Sequence, residues 1–227
     1  MIGSIVNAAV VVAGSLVGAF GLKGVSEKTR NTVTSVMGLP VVLIGIGMAM
    51  KTASVFSVIL SLVGGAVIGE NLAIEDRLNQ VGRALEARFP QKSGDFTKGF
   101  VTATLIYCIG AMAVMGAIEE GLSGRRDILY AKSLLDGVTS VILSSAMGLG
   151  VMFSAVPVLV YQGSISLMAQ AIERFLTEAA IREVSATGGL MIVGIGLNML
   201  GATKIPVGNL LPGLVIAAVL AMTGILA

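Results

Sequence analysis

The sequence predicts an all-α fold, a polytopic transmembrane helical bundle of about seven or eight membrane passes with one broken or re-entrant segment. Three observations predict it. Of 227 residues, 55% are hydrophobic and 12% charged, where a soluble domain carries roughly 25% charge. Apolar runs of about the twenty residues that a span requires recur from end to end, and the mean hydropathy is +0.94. The 30 glycines are spread through those runs, where lipid-solvated helices tolerate glycine and use it for close packing. Residues 1–227 therefore read as a single transmembrane domain, with little chain left for a separate soluble one.

The first apolar run covers 2–22 and contains Gly14 and Gly18, a G-x-x-x-G spacing on which a second helix can pack closely. Its start, MIGSIVNAAVVVAG, lacks the basic segment of a signal peptide and reads as a retained span. A second run covers about 33–50, with Pro40 placed to kink it, and a third about 54–72, where Ser61, Gly65 and Gly69 form a small-residue stripe. Over about 73–90 the pattern changes. Ile74, Leu78, Val81, Leu85 and Phe89 recur at steps of three and four, with Arg77, Arg83, Glu86 and Arg88 between them. That is an amphipathic helix, expected to lie along the membrane surface, with packing on a partner domain as the other reading. A fourth run spans about 99–118. The apolar stretch from about 134 to 172 is too long for one straight span and short for two with a loop, so Pro157 and the Gly148/Gly150 pair are expected to make a break or a re-entrant turn. Residues 173–187 read as a second amphipathic segment, and runs at about 188–203 and 206–226 complete the chain. With seven spans and the N-terminus outside, ten of the fifteen Lys and Arg residues fall on the inner side.

An internal repeat is also visible. VVLIGIGMAM (41–50) matches LMIVGIGLNM (190–199), pairing Gly45 with Gly194 and Met50 with Met199. The offset of 149 residues (194 minus 45) also pairs Gly14-Ser15 with Gly163-Ser164. Two readings stand: chance in a Gly- and Ile-rich chain, or repeats 1–78 and 150–227, of the kind that hold a transporter's site at their interface. Eight passes would make those repeats inverted.

Several chemistries are excluded. The chain has no histidine and a single cysteine, Cys108, so neither an internal disulfide nor a zinc-type ligand set is expected. No phosphate loop or nucleophile elbow occurs. No cofactor or metal is therefore expected, and no enzyme activity. A net charge of +2 without a basic, aromatic-interleaved patch speaks against nucleic acid. Lipids and an ion or small polar solute are the expected partners, and a protomer this small with small-residue faces is expected to form a homo-oligomer.

What chemistry the chain carries lies between 110 and 163. Glu119 and Glu120 end the fourth run; adjacent helical residues point about 100° apart, so one at most can face the bundle. They read either as solvated acids or as a carboxylate at a pathway mouth. Lys132 and Asp136 share a helix face. Either Ser133 and Asp136 form a capping box, or Asp136 lies in the membrane and needs Lys132 as its partner. Ser140, Ser144 and Ser154 suit helix–helix glue or a polar lining. Tyr161 and Gln162, after Pro157, supply polar groups beside a broken backbone. Asn198 is a further intramembrane amide, as is Asn7.

The strings GENLAIEDRL (69–78), GAIEEGLSG (116–124), LYAKSLLDG (129–137) and FSAVPVLVYQG (153–163) resemble the YdfK/YqgA-like bacterial inner-membrane family of unknown function, over the whole chain. The resemblance implies a polytopic protein of the bacterial plasma (inner) membrane and supplies neither substrate nor site residues. Two functions follow as expectations. One is a small secondary transporter or facilitator, with its site formed by 137–163 and helped by Glu119 or Glu120 and Asn198, and with Lys132 and Asp136 as a gate. The other is a structural or accessory membrane protein that partners another complex through its surface helix.

Overall fold

The computed structural model describes residues 1–21, 26–89, 95–173 and 177–223, except the side chains of Glu27 and Arg30. The described residues form helices and turns, with no strand among them. Five helices are long and apolar enough to cross a membrane, or six if one bent pair counts as a span. A shorter apolar stretch covers Val207–Thr223. The helices gather into two compact units that interleave along the chain.

The first unit comprises residues 1–36, 79–108 and 112–170. It is built on α1 (Ile2–Gly21) and α7 (Asp127–Met147), which pack along their length. Gly3 lies against Leu129, Gly14 against Gly137 and Gly18 against Val141, so the two helices run parallel. The glycine spacing on α1 causes that approach: a Cβ at Gly14 or Gly18 would overlap the Gly137 or Val141 carbonyl. The opposite side of α1 is apolar and open, with Ile5 53% and Val17 61% exposed, as a lipid-facing side must be. The second part of α4 (Ile74–Arg88) belongs here. Gly82 sits on Thr97 and Phe100, and Thr97 donates to Glu86 at 2.7 Å. Phe89 and Phe96 both stack on Phe153, at centroid distances of 4.9 and 5.3 Å. Arg83 and Arg88 stay exposed, as expected of an amphipathic helix.

One break was not expected, and one falls at the expected glycines rather than at Pro157. The fourth apolar run is not one straight span: α5 (Phe96–Cys108) and α6 (Ala111–Ser123) are bent by 61°. At that bend Gly110 has φ +141°, which side-chain-bearing residues rarely adopt. The long 134–172 stretch is two helices. α7 ends at Gly148 (φ 87°), whose N–H bonds the Ser144 carbonyl, and α8 (Gly150–Phe153) leads directly into α9 (Ala155–Leu167). Pro157 is no breaker, because it lies in the first turn of α9, where a missing N–H removes no helical bond. α10 (Ala169–Ile172) closes this part of the chain.

The second unit comprises residues 37–78, 109–111 and 171–227. It contains most of α2 (Glu27–Ala49), α3 (Val55–Leu72), α11 (Glu178–Met199), a 3-10 turn (Val207–Leu210) and α12 (Pro212–Thr223). Pro40 lies inside α2. The expected amphipathic 173–187 segment falls partly outside the described residues, and its remainder continues into α11 without a break. Thr177 caps α11 by accepting the Ala180 N–H at 3.1 Å. α2 and α11 run antiparallel, with Gly38 against Gly196 and Gly45 against Gly189. α3 and α12 are antiparallel too: Ser61 and Gly65 lie against Gly213, and Gly69 against Asn209. The small-residue stripe of α3 is thus the surface on which α12 and the 3-10 turn rest.

Candidate functional site

In the first unit the α1–α7 contact brings together polar side chains that are far apart in sequence. Lys132 and Asp136 lie one turn apart on α7 and form an ion pair. Their side chains are 7% and 10% exposed, so this is a buried pair inside a helix bundle rather than a helix cap. Asn7, on the face of α1 turned to α7, donates one amide hydrogen to Asp136 Oδ2 at 3.0 Å and another to Gln162 Oε1 of α9 at 3.2 Å. The Lys132 ammonium stands 5.8 Å from the centroid of the Tyr107 ring, within cation–π range. The Tyr107 hydroxyl bonds Ser140 Oγ at 2.8 Å. One turn further, Ser144 donates to the Ser15 carbonyl at 2.7 Å. Asn7, Ser140, Ser144 and Gln162 have no exposed surface.

Several of these groups are incompletely bonded. Among the described residues, Asn7 Oδ1, Gln162 Nε2, Ser15 Oγ and Thr104 Oγ1 are buried without a hydrogen-bond partner. Turning the Asn7 amide over would aim its oxygen at the Asp136 carboxylate, so the assigned orientation is the sound one. It leaves the Asn7 amide oxygen and the Gln162 amide NH2 without partners. Buried polar atoms in native folds are nearly all paired, and unpaired ones mark water, an ion or function.

Glu120 forms a second centre at the start of α1. It is 4% exposed and accepts from the Gly3 N–H at 2.6 Å and from Ser4 Oγ at 3.2 Å. The Met1 ammonium and Arg126 Nε stand at 3.1 and 3.4 Å. Anionic charge at a helix N-terminus is favourable, and this carboxylate satisfies amide groups that α1 leaves open. Its neighbour Glu119 points the other way, as adjacent helical residues must, and pairs at 2.6 Å with Arg125, which is 68% exposed.

The remaining sequence candidates do not converge on this cluster. Ser154 is buried, but its hydroxyl is used locally, donating to the Val151 carbonyl at 2.6 Å. Tyr161, next to Gln162, is half-buried. Asn198 lies in the second unit and ties a loop. It accepts from Thr203 Oγ1 and the Ile205 N–H at 2.8 and 2.9 Å and donates to the Ile205 carbonyl at 2.7 Å. Tyr107 carried no sequence signal, because nothing in its spacing links α5 to Ser140. The second unit has its own buried carboxylate, Glu183, which receives the Ala53 N–H at 2.8 Å and the Thr52 hydroxyl at 2.5 Å. Asn209 there accepts the Glu75 N–H at 2.8 Å and donates to Glu70 at 2.6 Å, while Glu75 accepts the Gly208 N–H at 2.6 Å. Among the described residues, no group of three or more His, Cys, Asp or Glu side chains could hold a metal ion.

The comparisons with known proteins agree with the membrane reading. A family model described as "Protein of unknown function (DUF554)" matches residues 2–222. The chain is 33% identical over 223 residues to the "Uncharacterized membrane protein YdfK" of Bacillus subtilis, covering 96% of this chain and 95% of that one. It is 32% identical over 222 residues to the "Uncharacterized protein YqgA" of Escherichia coli, covering 96% and 94%. No solved structure matches. The chain belongs to the DUF554 family.

Proposed function

We propose that this member of the DUF554 family is a multi-pass protein of the bacterial plasma membrane. Its role in this reading is that of a secondary transporter or facilitator for an ion or small polar solute. The observation that carries the proposal is the buried Lys132–Asp136 pair with Asn7 and Gln162 around it. A charge at the bilayer centre costs about 2.5–3.5 kcal/mol even on the mildest scale. A buried pair is also often no more stable than apolar residues of the same size. Packing alone therefore gives no reason for this cluster, and its free acceptor and donor are what a passing solute would use. Glu120 sits at one end of α1 and α7, where the pathway would meet the interface. Ser154 and Asn198, tied up locally, drop out of the proposed site; Ser140, Ser144 and Gln162 remain in it.

The direction of the helices supports inverted repeats. An offset of 149 lays α1 over α8–α9, α2 over α11 and α3 over the 207–223 stretch. Each pair runs antiparallel within its own unit. Ser4 and Ser166 share Glu120, Asn7 meets Gln162, and Ser15 lies by Ser144, close to the turn that starts α8. In this reading each repeat contributes helices to both units. The open apolar faces of α2 (Leu39, Leu43, Ile46) and α3 (Phe56, Ile59, Val63) suit lipid or a second copy in a homo-oligomer.

The experiment is a flux screen with purified protein in liposomes, across inorganic cations, amino acids and organic acids. Asp136→Asn, Asn7→Leu and Gln162→Leu are expected to slow whatever flux wild type shows. Unchanged flux in all three variants, with protein of normal oligomeric state, would remove the cluster from the mechanism.

A further inference from the structure

α7 carries Lys132, Asp136, Ser140 and Ser144 at every fourth position, and all four are buried. Four residues rise about 6 Å on a helix, so the row runs about 18 Å, more than half of a hydrocarbon core of about 30 Å. Side chains from three other helices widen it into a lane. Asn7 of α1 and Gln162 of α9 join at Asp136. Tyr107 of α5 reaches both Lys132 and Ser140. At the lower-numbered end Gly3 lies against both Leu129 and Glu120, placing the Glu120 centre next to the start of the row.

Three of the six buried polar atoms without a partner among the described residues fall along this lane. Among the described residues, Asn7 Oδ1 and Gln162 Nε2 lack partners at its middle, and Ser15 Oγ at its Ser144 end; all three side chains are wholly buried. Buried polar groups in that condition are ordinarily held by ordered water, which needs two to four polar partners, and the lane offers them at each turn. We propose that this lane is a hydrated proton relay and that the proton is the ion this protein moves or couples to. The inference rests on the transporter reading above and names its ion.

The chemistry of the lining favours the proton over larger ions. The charges facing Asp136 sum to zero within the pair: Lys132 comes from its own helix, while α1, α5 and α9 contribute the neutral Asn7, Tyr107 and Gln162. A lane whose single carboxylate is already neutralised by Lys132 carries no net negative charge to hold a metal cation stripped of its water. It does offer groups that accept one proton as they release another. A proton arriving from the Glu120 side is taken up by the Asp136 carboxylate, leaving a neutral acid beside the Lys132 ammonium. Asp136 then passes a proton through water to the Ser140 hydroxyl, which yields its own toward Ser144. One proton enters, one leaves, and the ion pair is restored.

The test uses the full chain in liposomes with a trapped pH dye and a potassium gradient clamped by valinomycin. An inside-negative potential is expected to acidify wild-type vesicles faster than protein-free ones. Asp136→Asn should abolish the excess, and Tyr107→Phe and Ser140→Ala, which leave the packing almost unchanged, should each slow it severalfold. Thr139→Val is the control on the same helix: its side chain lies off the buried row, is half-buried and donates to the Leu135 carbonyl of its own helix at 2.8 Å. It should match wild type. Wild-type vesicles that do not acidify, yet swell faster than protein-free ones in glycerol or urea, would overturn the relay and leave the transporter reading standing. Absence of both effects would overturn the two together. Acidification that persists unchanged in Asp136→Asn, Tyr107→Phe and Ser140→Ala would place the proton elsewhere and refute the lane.

Discussion

The Lys132–Asp136 pair makes a quantitative prediction about stability. Lys132→Met removes the cation and leaves Asp136 with Asn7 as its remaining recorded partner; Asp136→Leu leaves the Lys132 ammonium, 7% exposed, facing an aromatic ring. Removing one member of a buried pair costs about 3–5 kcal/mol, because the other charge stays buried without compensation. The double variant buries no charge. Its cost is the lost Asn7–Asp136 hydrogen bond, about 1 kcal/mol, offset by the added apolar packing. The two single effects should therefore overshoot the double by at least about 4 kcal/mol, roughly a thousandfold in the folding equilibrium. The assay is a double-mutant cycle on reversible unfolding in mixed micelles, followed by helical circular dichroism. Cys108, the single thiol, gives an independent reporter through its rate of labelling. Additive single effects would refute the reasoning, since they would mean that the two side chains do not meet as ions in the folded bundle.

Three further outcomes follow from the packing and the electrostatics. Gly18→Ala should destabilise by about 1–3 kcal/mol, the usual cost of overpacking, because the new methyl lands on the Val141 backbone. Gly21→Ala on the same helix meets nothing within 4 Å and should be neutral or slightly stabilising; equal loss in both variants would argue against the α1–α7 contact. Gly110→Ala forces a side chain into φ +141° and should cost about 1–3 kcal/mol, read as a lowered unfolding midpoint; an unchanged midpoint would mean that the bend is not held there. Burial lifts the Glu75 carboxyl above its ordinary range, Asp76 and Glu70 add to the lift, and the Gly208 N–H opposes it. A raised acid contributes stability that is present in acid and lost as pH rises through its folded-state value. Glu75→Gln should therefore flatten the pH dependence of unfolding across the mildly acidic range, and an unaltered slope would remove Glu75 from that dependence.

Hydropathy and local spacing alone determined the helical membrane class, the limits of α1, α3 and α4 to within a residue or two, and the shared helix face of Lys132 and Asp136. Those features depend on composition and on neighbours three or four residues away, which a linear chain displays openly. That Lys132 and Asp136 form a buried pair rather than a cap was decided by the packing. The glycines of α1 and the small stripe of α3 were equally legible as surfaces for close approach, though not which helix would rest on them. Tertiary structure decided the rest. It showed that the chain turns at Gly148 and bends at Gly110, since any glycine permits an unusual φ and only surrounding contacts select the one that adopts it. Packing, too, placed Asn7 and Gln162 on Asp136, tied Tyr107 to Ser140, and took Asn198 and Ser154 out of the cluster. A polar side chain in lipid must find a partner, and which partner it finds depends on helices that sequence order leaves far apart.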